Sequence, residues 1–336
     1  MKTRIGLAVL TLLAVGCSES ENTNTPDVQV NAKAIRIGQS VQGLTRAVVA
    51  DGNNVSATVL MCDGASADWS SFIAVRSNDI TSGIGELKVR ANTSTASFKA
   101  GTSTEVSLNP TLYYDNTSST MKSYLAAVAP TGSLAASGTI VTMNDVDGQQ
   151  DVMYATAVDA GSEGTPASPI NLSFNHLTTQ LNFQVKMTEA SGTGDWDGKT
   201  VTVKNIKVQS AQLPQSVNAA DGVVTWSSAS PLFVPGINNP ALSGTLAKIG
   251  NPVMIKGESL VKLDVTLTVG GTDLLFSNVP IKDTTSDLVT VTGSSHLISL
   301  NVTEPEAASG SGVAIIDVTA TVAKWVVGTP GNADLK

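Results

Sequence analysis

Apolar side chains stand at Leu181, Phe183, Val185 and Met187, with polar Asn182, Gln184 and Lys186 between them. A period of two sends alternate side chains to opposite faces of an extended chain, so this pattern predicts a strand with one buried and one wet face. The pattern recurs at Val261, Leu263, Val265, Leu267 and Val269. There it ends at Gly270-Gly271-Thr272-Asp273, which predicts a hairpin turn into Leu274-Leu275-Phe276. Ile298, Leu300 and Val302 repeat it, as does a long stretch at 313–327. Within 201–208 the apolar parity switches between Val203 and Ile206, which predicts a bulge near Lys204 and Asn205. No stretch holds apolar residues at three-and-four spacing over several turns, so very little helix is expected.

Short strands punctuated by Asn-Gly-type and Pro-containing turns imply an all-β fold of antiparallel β-sandwiches. A chain of 336 residues is long enough for about two domains. Residues 159–169 are rich in Gly, Ser and Pro and predict a loop shortly before a domain boundary, placed near Thr178 and Thr179. The expected division is a first sandwich over 47–178 and a second over 179–336. Composition agrees: charged residues make up 14% and aromatics 4%, which favours short strands and turns over helices.

The N-terminal end has a different character. Lys2 and Arg4 precede an uncharged apolar run at 5–15 that is too short to span a bilayer as a helix, so residues 1–16 are expected to be a signal peptide. The run closes on Ala14-Val15-Gly16-Cys17, which resembles a bacterial lipobox and makes Cys17 the expected acceptor of lipid; a polar tether follows. An ordinary secretory signal with a chance cysteine is the plainer alternative. With Cys17 lipidated only Cys62 is left, so no intramolecular disulfide forms and stability has to come from burial. The net charge of −8, without a basic patch, argues against nucleic acid as a partner.

Material for catalysis is scarce, and no cofactor is expected. His176 and His296 are the two histidines, both read as partly buried rings at strand edges bonded to backbone. No nucleophile elbow, zinc-binding helix motif, phosphate loop or dinucleotide fingerprint occurs. Asp145, Asp147 and Asp151 lie around Gly148 and offer spaced oxygens for calcium, but the terminal Glu and flanking helices of an EF-hand are missing, and a solvated turn is the plainer use. Asp195-Trp196-Asp197-Gly198 sets an aromatic between carboxylates, which suits stacking on a sugar or a Trp folded over its own hairpin. Arg46 lies between a strand-like segment at 28–37 and the body, where a trypsin-like protease would cut an exposed loop.

Three blocks of sequence resemble the fimbrillin family of Bacteroidia, the type V pilins and their fimbrillin-like relatives. They are the Cys17 lipobox with its tether and Thr45-Arg46-Ala47; the mid-chain Val152-Met153-Tyr154-Ala155-Thr156-Ala157 with Ile170-Asn171-Leu172-Ser173-Phe174-Asn175-His176-Leu177-Thr178-Thr179-Gln180-Leu181-Asn182-Phe183; and Thr321-Val322-Ala323-Lys324-Trp325 near the end. The resemblance implies two tandem transthyretin-like antiparallel β-sandwich domains and a cell-surface fimbrial subunit that is not an enzyme. It implies export to the outer membrane as a precursor lipidated on Cys17, with residues 17–46 as tether and removable pro-segment. An Arg-specific protease would cut Arg46-Ala47, and the groove vacated by the first strand would take a strand from another subunit, with 313–327 as the donor. After processing the protein would reside in the fimbrium.

The physics of such an exchange does not depend on the family. Removing a strand uncovers unpaired N–H and C=O groups beside an apolar groove, and an incoming strand restores the ladder while its side chains fill alternate pockets. In the donor segment Val318, Ala320, Val322 and Val326 share one parity and Thr319, Thr321, Ala323, Trp325 and Val327 the other; neither set is strongly charged. A head-to-tail contact of this kind propagates a filament. Asp283-Thr284-Thr285 resembles an O-glycosylation motif on Thr284. The competing function is a monomeric surface glycan-binding lipoprotein with Trp69, Trp196 or Trp226 as its exposed platform; a hydrolase with a carboxylate pair is the remaining alternative.

Overall fold

The computed structural model describes residues 33–41, 54–78, 88–99, 106–190, 192–283, 286–306 and 315–324, and among them every regular element is a strand. The largest sheet has seven strands, in the order β1 (Gly38–Val41), β11 (Asn171–His176), β10 (Met153–Ser162), β7 (Lys122–Ala129), β2 (Asn54–Gly64), β5 (Thr93–Lys99) and β6 (Ser107–Asn109). A six-stranded sheet runs β17 (Ala247–Ile255), β12 (Thr179–Thr188), β22 (Ser294–Thr303), β23 (Ile315–Lys324), β20 (Lys282–Asp283) and β21 (Ser286–Asp287). A four-stranded sheet runs β16 (Ser230–Phe233), β13 (Val201–Ala211), β18 (Lys262–Val269) and β19 (Thr272–Pro280). Another joins β15 (Val224–Trp226), β14 (Pro214–Asn218), β9 (Ile140–Thr142) and β8 (Ser133–Leu134), and β3 (Val75–Asn78) pairs with β4 (Lys88–Ala91).

The C-terminal core forms between the six-stranded sheet and the sheet around β13. Leu181, Phe183, Ile298, Leu300, Val318 and Ala320 come from the first, and Val203, Ile206, Leu263, Val265 and Leu267 from the second. These are the alternating positions of the sequence, and their burial in one shared cluster makes the pair of sheets a sandwich. Val269 faces Thr272 across Gly270 and Gly271, whose φ values of 55° and 90° build the two-residue hairpin that only glycine takes easily. The β13–β18 register slips between Val203 and Asn205, as the parity switch predicts. One expectation is modified on β12: Asn182 is buried, not wet, and bonds through Nδ2 to Gln180 Oε1 and Ser295 Oγ at 2.9 Å each.

In the N-terminal half the large sheet is covered on both faces. On one face Val59, Met61, Leu125, Ala127, Leu172 and Phe174 join a core that also takes in Ile35, Ile37, Leu112 and Tyr114. On the other Leu60, Ala126, Val128 and Tyr154 pack against Val141, Met143, Val217 and Ala219. Strands buried on both faces have no polar parity to show, which is why β2 and β7 are apolar in runs instead of alternating.

The second of these cores uses a strand from beyond the expected boundary. β14 pairs with β9 through Ser216↔Thr142, Val217↔Val141 and Asn218↔Ile140, so a hairpin of the C-terminal half lies on the N-terminal sheet. The 144–151 loop makes the reciprocal contact, Met254 N donating to Gly148 O at 2.7 Å and Gln149 Nε2 to Pro252 O at 2.9 Å. The loop expected over 159–169 is shorter than that span: β10 continues to Ser162, and Ala167 N closes the return by donating to Ala160 O at 2.9 Å.

Candidate assembly site

The N-terminal segment 33–41 lies along an edge of the first core. Ile35 and Ile37 are each 2% exposed, with Arg36 between them pointing out. Each fully buried Ile contributes about 1.5–3 kcal/mol by leaving water. The backbone of the segment switches partners midway. Its first half lies antiparallel to residues 111–114: Ile35 N donates to Leu112 O at 2.8 Å, Tyr114 N donates to Lys33 O at 3.1 Å, and Ala34 bridges Tyr113. Val106 N then donates to Ile37 O at 3.1 Å and Gly38 N to Ile170 O at 2.7 Å, after which β1 runs parallel to β11 from Gly38↔Asn171 to Val41↔Phe174. β1 is an edge strand of four residues, and the segment as a whole is a cover held by two separate rails.

Of the strand-like segment expected at 28–37, only residues 33–37 are described. Residues 28–32 lie outside the described residues, and among the described ones the ladder starts at Gly38. Ile35 and Ile37 are buried on either side of an exposed Arg36, but their partners at 106–114 supply single bonds and no sheet ladder, so regular pairing comes where the chain meets β11.

The 110–115 rail is fixed mostly by side chains. Ser94 Oγ donates to Pro110 O at 2.7 Å, Arg90 Nη1 to Tyr113 O at 3.2 Å, and Tyr114 OH to Ala160 O at 2.6 Å. Burial, with the Asp159 carboxylate adding to it, pushes the Tyr114 phenol up to about 12. Arg90 forms an ion pair through Nη2 with Asp63 Oδ2, both side chains being buried, and Asp63 Oδ1 accepts from Ser123 Oγ at 2.8 Å.

At the other end of the chain, β23 is paired along its whole length with β22, from Ser294↔Lys324 to Thr303↔Ile315, and touches β20 at Lys282↔Thr319. Val318 and Ala320 are buried in the C-terminal core, while Asp317, Thr319 and Thr321 are exposed, so one parity alone is covered. Val322 pairs with His296 through its backbone. Cys17, Arg46, Ala47, Thr284, Trp325 and Val326 lie outside the described residues.

The other candidates resolve into packing. Asp145 and Asp147 are exposed, and Asp147 Oδ1 accepts from Gln149 N at 2.8 Å in a local turn. Asp151 is buried and bonded to His176, Nδ1 to Oδ1 at 2.9 Å; among the described residues no three His, Cys, Asp or Glu side chains gather where they would hold a metal ion. For His176 the partner seen is thus a carboxylate, where the sequence reading expects backbone. His296 has the expected backbone bond, its Nε2 accepting from Val291 N at 3.2 Å, but the residue is fully buried, not partly so. Trp196 is neither a sugar platform nor a lid on its own hairpin: it is 6% exposed and packs into the C-terminal core. Glu304, which nothing in the sequence singles out, holds that turn by accepting from Trp196 N at 2.7 Å and Ala190 N at 3.2 Å. Trp69 and Trp226 are half-buried, so none of the three tryptophans is an exposed platform.

A family model described as fimbrillin-like matches residues 65–325. Among curated proteins, none matches the sequence. Similar solved structures include one described as a cell adhesion protein from Bacteroides uniformis, 16% identical with a TM-score of 0.46, covering 87% of this chain and 98% of its own. A fimbrial protein from Bacteroides vulgatus is 12% identical with a TM-score of 0.48, covering 87% and 99%. The fimbrial anchor protein Mfa2 from Porphyromonas gingivalis is 12% identical with a TM-score of 0.37, covering 85% and 98%.

Proposed function

The chain belongs to the fimbrillin-like family, and we propose that it is a structural subunit of a cell-surface fimbria, built from a sandwich over 47–178 and another over 179–336. In this reading residues 1–16 direct export, Cys17 carries the lipid that holds the precursor at the outer membrane, and 17–46 leave when an Arg-specific protease cuts Arg46-Ala47. Subunits then join by strand addition, and the protein is not an enzyme.

The observation that carries the reading is how the 33–41 segment is held. It supplies two core side chains, yet it meets the body as a four-residue edge ladder on one side and single bonds on the other. Its loss leaves pockets shaped for Ile35 and Ile37 beside the free edge of β11, a surface that an extended strand with alternating aliphatic residues refills. A donor drawn from 313–327 meets a further requirement. Ile315–Lys324 is bonded to β22 over ten residue pairs, so donation is a swap in which that ladder opens in one subunit as another closes in its neighbour.

The test treats the secreted body, from residue 18 onward, with a trypsin-like protease and follows mass and assembly. Cleavage after Arg46, release of the N-terminal fragment and growth of oligomers are expected, with none of the three in Arg46→Ala. A cut chain that keeps its fragment, or loses it and stays monomeric under all conditions, overturns the exchange.

A further inference from the structure

The bonds around Tyr113 face two ways. Leu112 O and Tyr114 N point to the N-terminal segment, where they meet Ile35 N and Lys33 O, whereas Tyr113 O turns the other way and accepts from Arg90. This is the alternation of an antiparallel edge, with the residue between two inter-strand bonds showing its own polar groups to the opposite side. Among the described residues, 111–114 belong to no strand, and their one bridge is Tyr113 to Ala34. If the segment departs, that bridge and both outward bonds go with it. What then fixes the middle of the rail is Arg90.

Arg90 is itself fixed from the sheet centre. Asp63 on β2 and Ser123 on β7 are register partners; the carboxylate takes the Ser123 hydroxyl on one oxygen and the guanidinium on the other. A buried ion pair of this kind is weak evidence for stability, since apolar side chains of similar size serve a core as well. The guanidinium's planar fork, however, serves a carboxylate and a carbonyl at once in a set direction, which an ammonium does not.

We propose that Arg90, oriented by Asp63, is a positioning residue of the assembly groove: it holds the 111–114 rail in the geometry that receives an extended segment, whether or not residues 33–41 occupy it. The use made of that groove rests on the strand-exchange reading above, but the positioning is a property of the intact chain and is tested there. A groove kept in shape by side chains does not have to be rebuilt by the incoming strand, so less ordering entropy opposes each exchange.

The experiment is amide hydrogen exchange on the intact secreted chain, comparing wild type, Arg90→Lys and Asp63→Asn. Arg90→Lys keeps a cation beside Asp63, so no buried carboxylate is left alone. The amides of Ile35 and Tyr114, which span the rail and the segment, are expected to exchange at least about tenfold faster in Arg90→Lys, with a smaller gain in Asp63→Asn. The β2–β7 ladder should change less than about twofold. Unchanged exchange at Ile35 and Tyr114 overturns the proposal, and so does equal acceleration of the β2–β7 ladder, which is what loss of a merely structural pair produces. Failure of Arg46 to be cut leaves this measurement intact, so the two readings fail separately. In a chain cut within 42–53 at an introduced protease site, the N-terminal fragment should also leave at least about tenfold faster from Arg90→Lys than from the parent.

Discussion

Asp151 and His176 meet where the chain is about to leave the N-terminal sheet, Nδ1 to Oδ1 at 2.9 Å, with side chains 0% and 3% exposed. Two residues further on, Thr178 O accepts from Gly293 N at 2.9 Å, already in the C-terminal sandwich. Leu177 N donates to Val152 O at 2.8 Å alongside the pair. The bond between them therefore fixes the direction in which the chain crosses between its two halves. His176→Ala leaves a buried Asp151 oxygen without its partner, a change that costs about 1–3 kcal/mol. Denaturant unfolding should show that loss, whereas the exposed Asp145→Ala should fall within about 0.5 kcal/mol of wild type.

The second histidine sets a pH response. Burial holds the His296 ring below its ordinary pKa, opposed in part by the Asp283 charge, and the neutral ring accepts the Val291 N–H. A folded pKa below the unfolded one means that the unfolded chain binds the proton more readily. The stabilisation is thus complete above the unfolded value of about 6.5 and drains away as pH falls from there through the lower folded value. Asp159, held below the usual carboxylate range by its bond to Lys122, contributes in the other window: its share is lost only as pH falls below about 4. Thermal midpoints measured from pH 7.5 to 5 should therefore fall less in His296→Leu than in wild type. Parallel curves for the two proteins would show that His296 does not set this window.

The C-terminal sandwich was largely legible in the sequence because its main strands bury one face, β12 departing from this at Gln180 and Asn182. Leu181, Phe183, Leu263, Leu267, Ile298 and Leu300 stand at the predicted parity, and Gly270-Gly271 closes the predicted hairpin. The N-terminal sheet was less legible for the opposite reason: Leu60 and Met61 enter different cores from adjacent positions, so periodicity carries no signal there. Contacts between residues far apart in sequence were beyond reach. Arg90 bonds Asp63 and the Tyr113 carbonyl, and Glu304 accepts from Trp196 N, each pairing made by the fold with no local motif to announce it. For the same reason neither the place of Trp196 in the C-terminal core nor the His176 partner of Asp151 is legible in the sequence, which points to a Trp over its own hairpin and to a solvated turn.

The β14–β15 hairpin is the feature that ties the two halves most firmly, and it should be separable from the folding of either sandwich. Val217 and Ala219 are fully buried against Leu60, Val128 and Tyr154, while Asn218 Oδ1 accepts from Thr139 Oγ1 at 2.6 Å and from Ala220 N at 3.1 Å. Val217→Asp places an unpaired carboxylate in that interface, and it ionises only if the hairpin lifts away. Lifting breaks three register pairs with β9 but leaves the β13–β18 and β2–β7 ladders whole. Hydrogen exchange should thus accelerate strongly over 139–143 and 214–226 in Val217→Asp, while the central ladders keep their protection. Cooperative loss of protection throughout the chain would instead show that the two sandwiches do not stand without this hairpin. If the local result is obtained, the halves are joined by a detachable clasp, and the stiffness of the joint between them is set by Val217 and its neighbours more than by the short connection at Leu177 and Thr178.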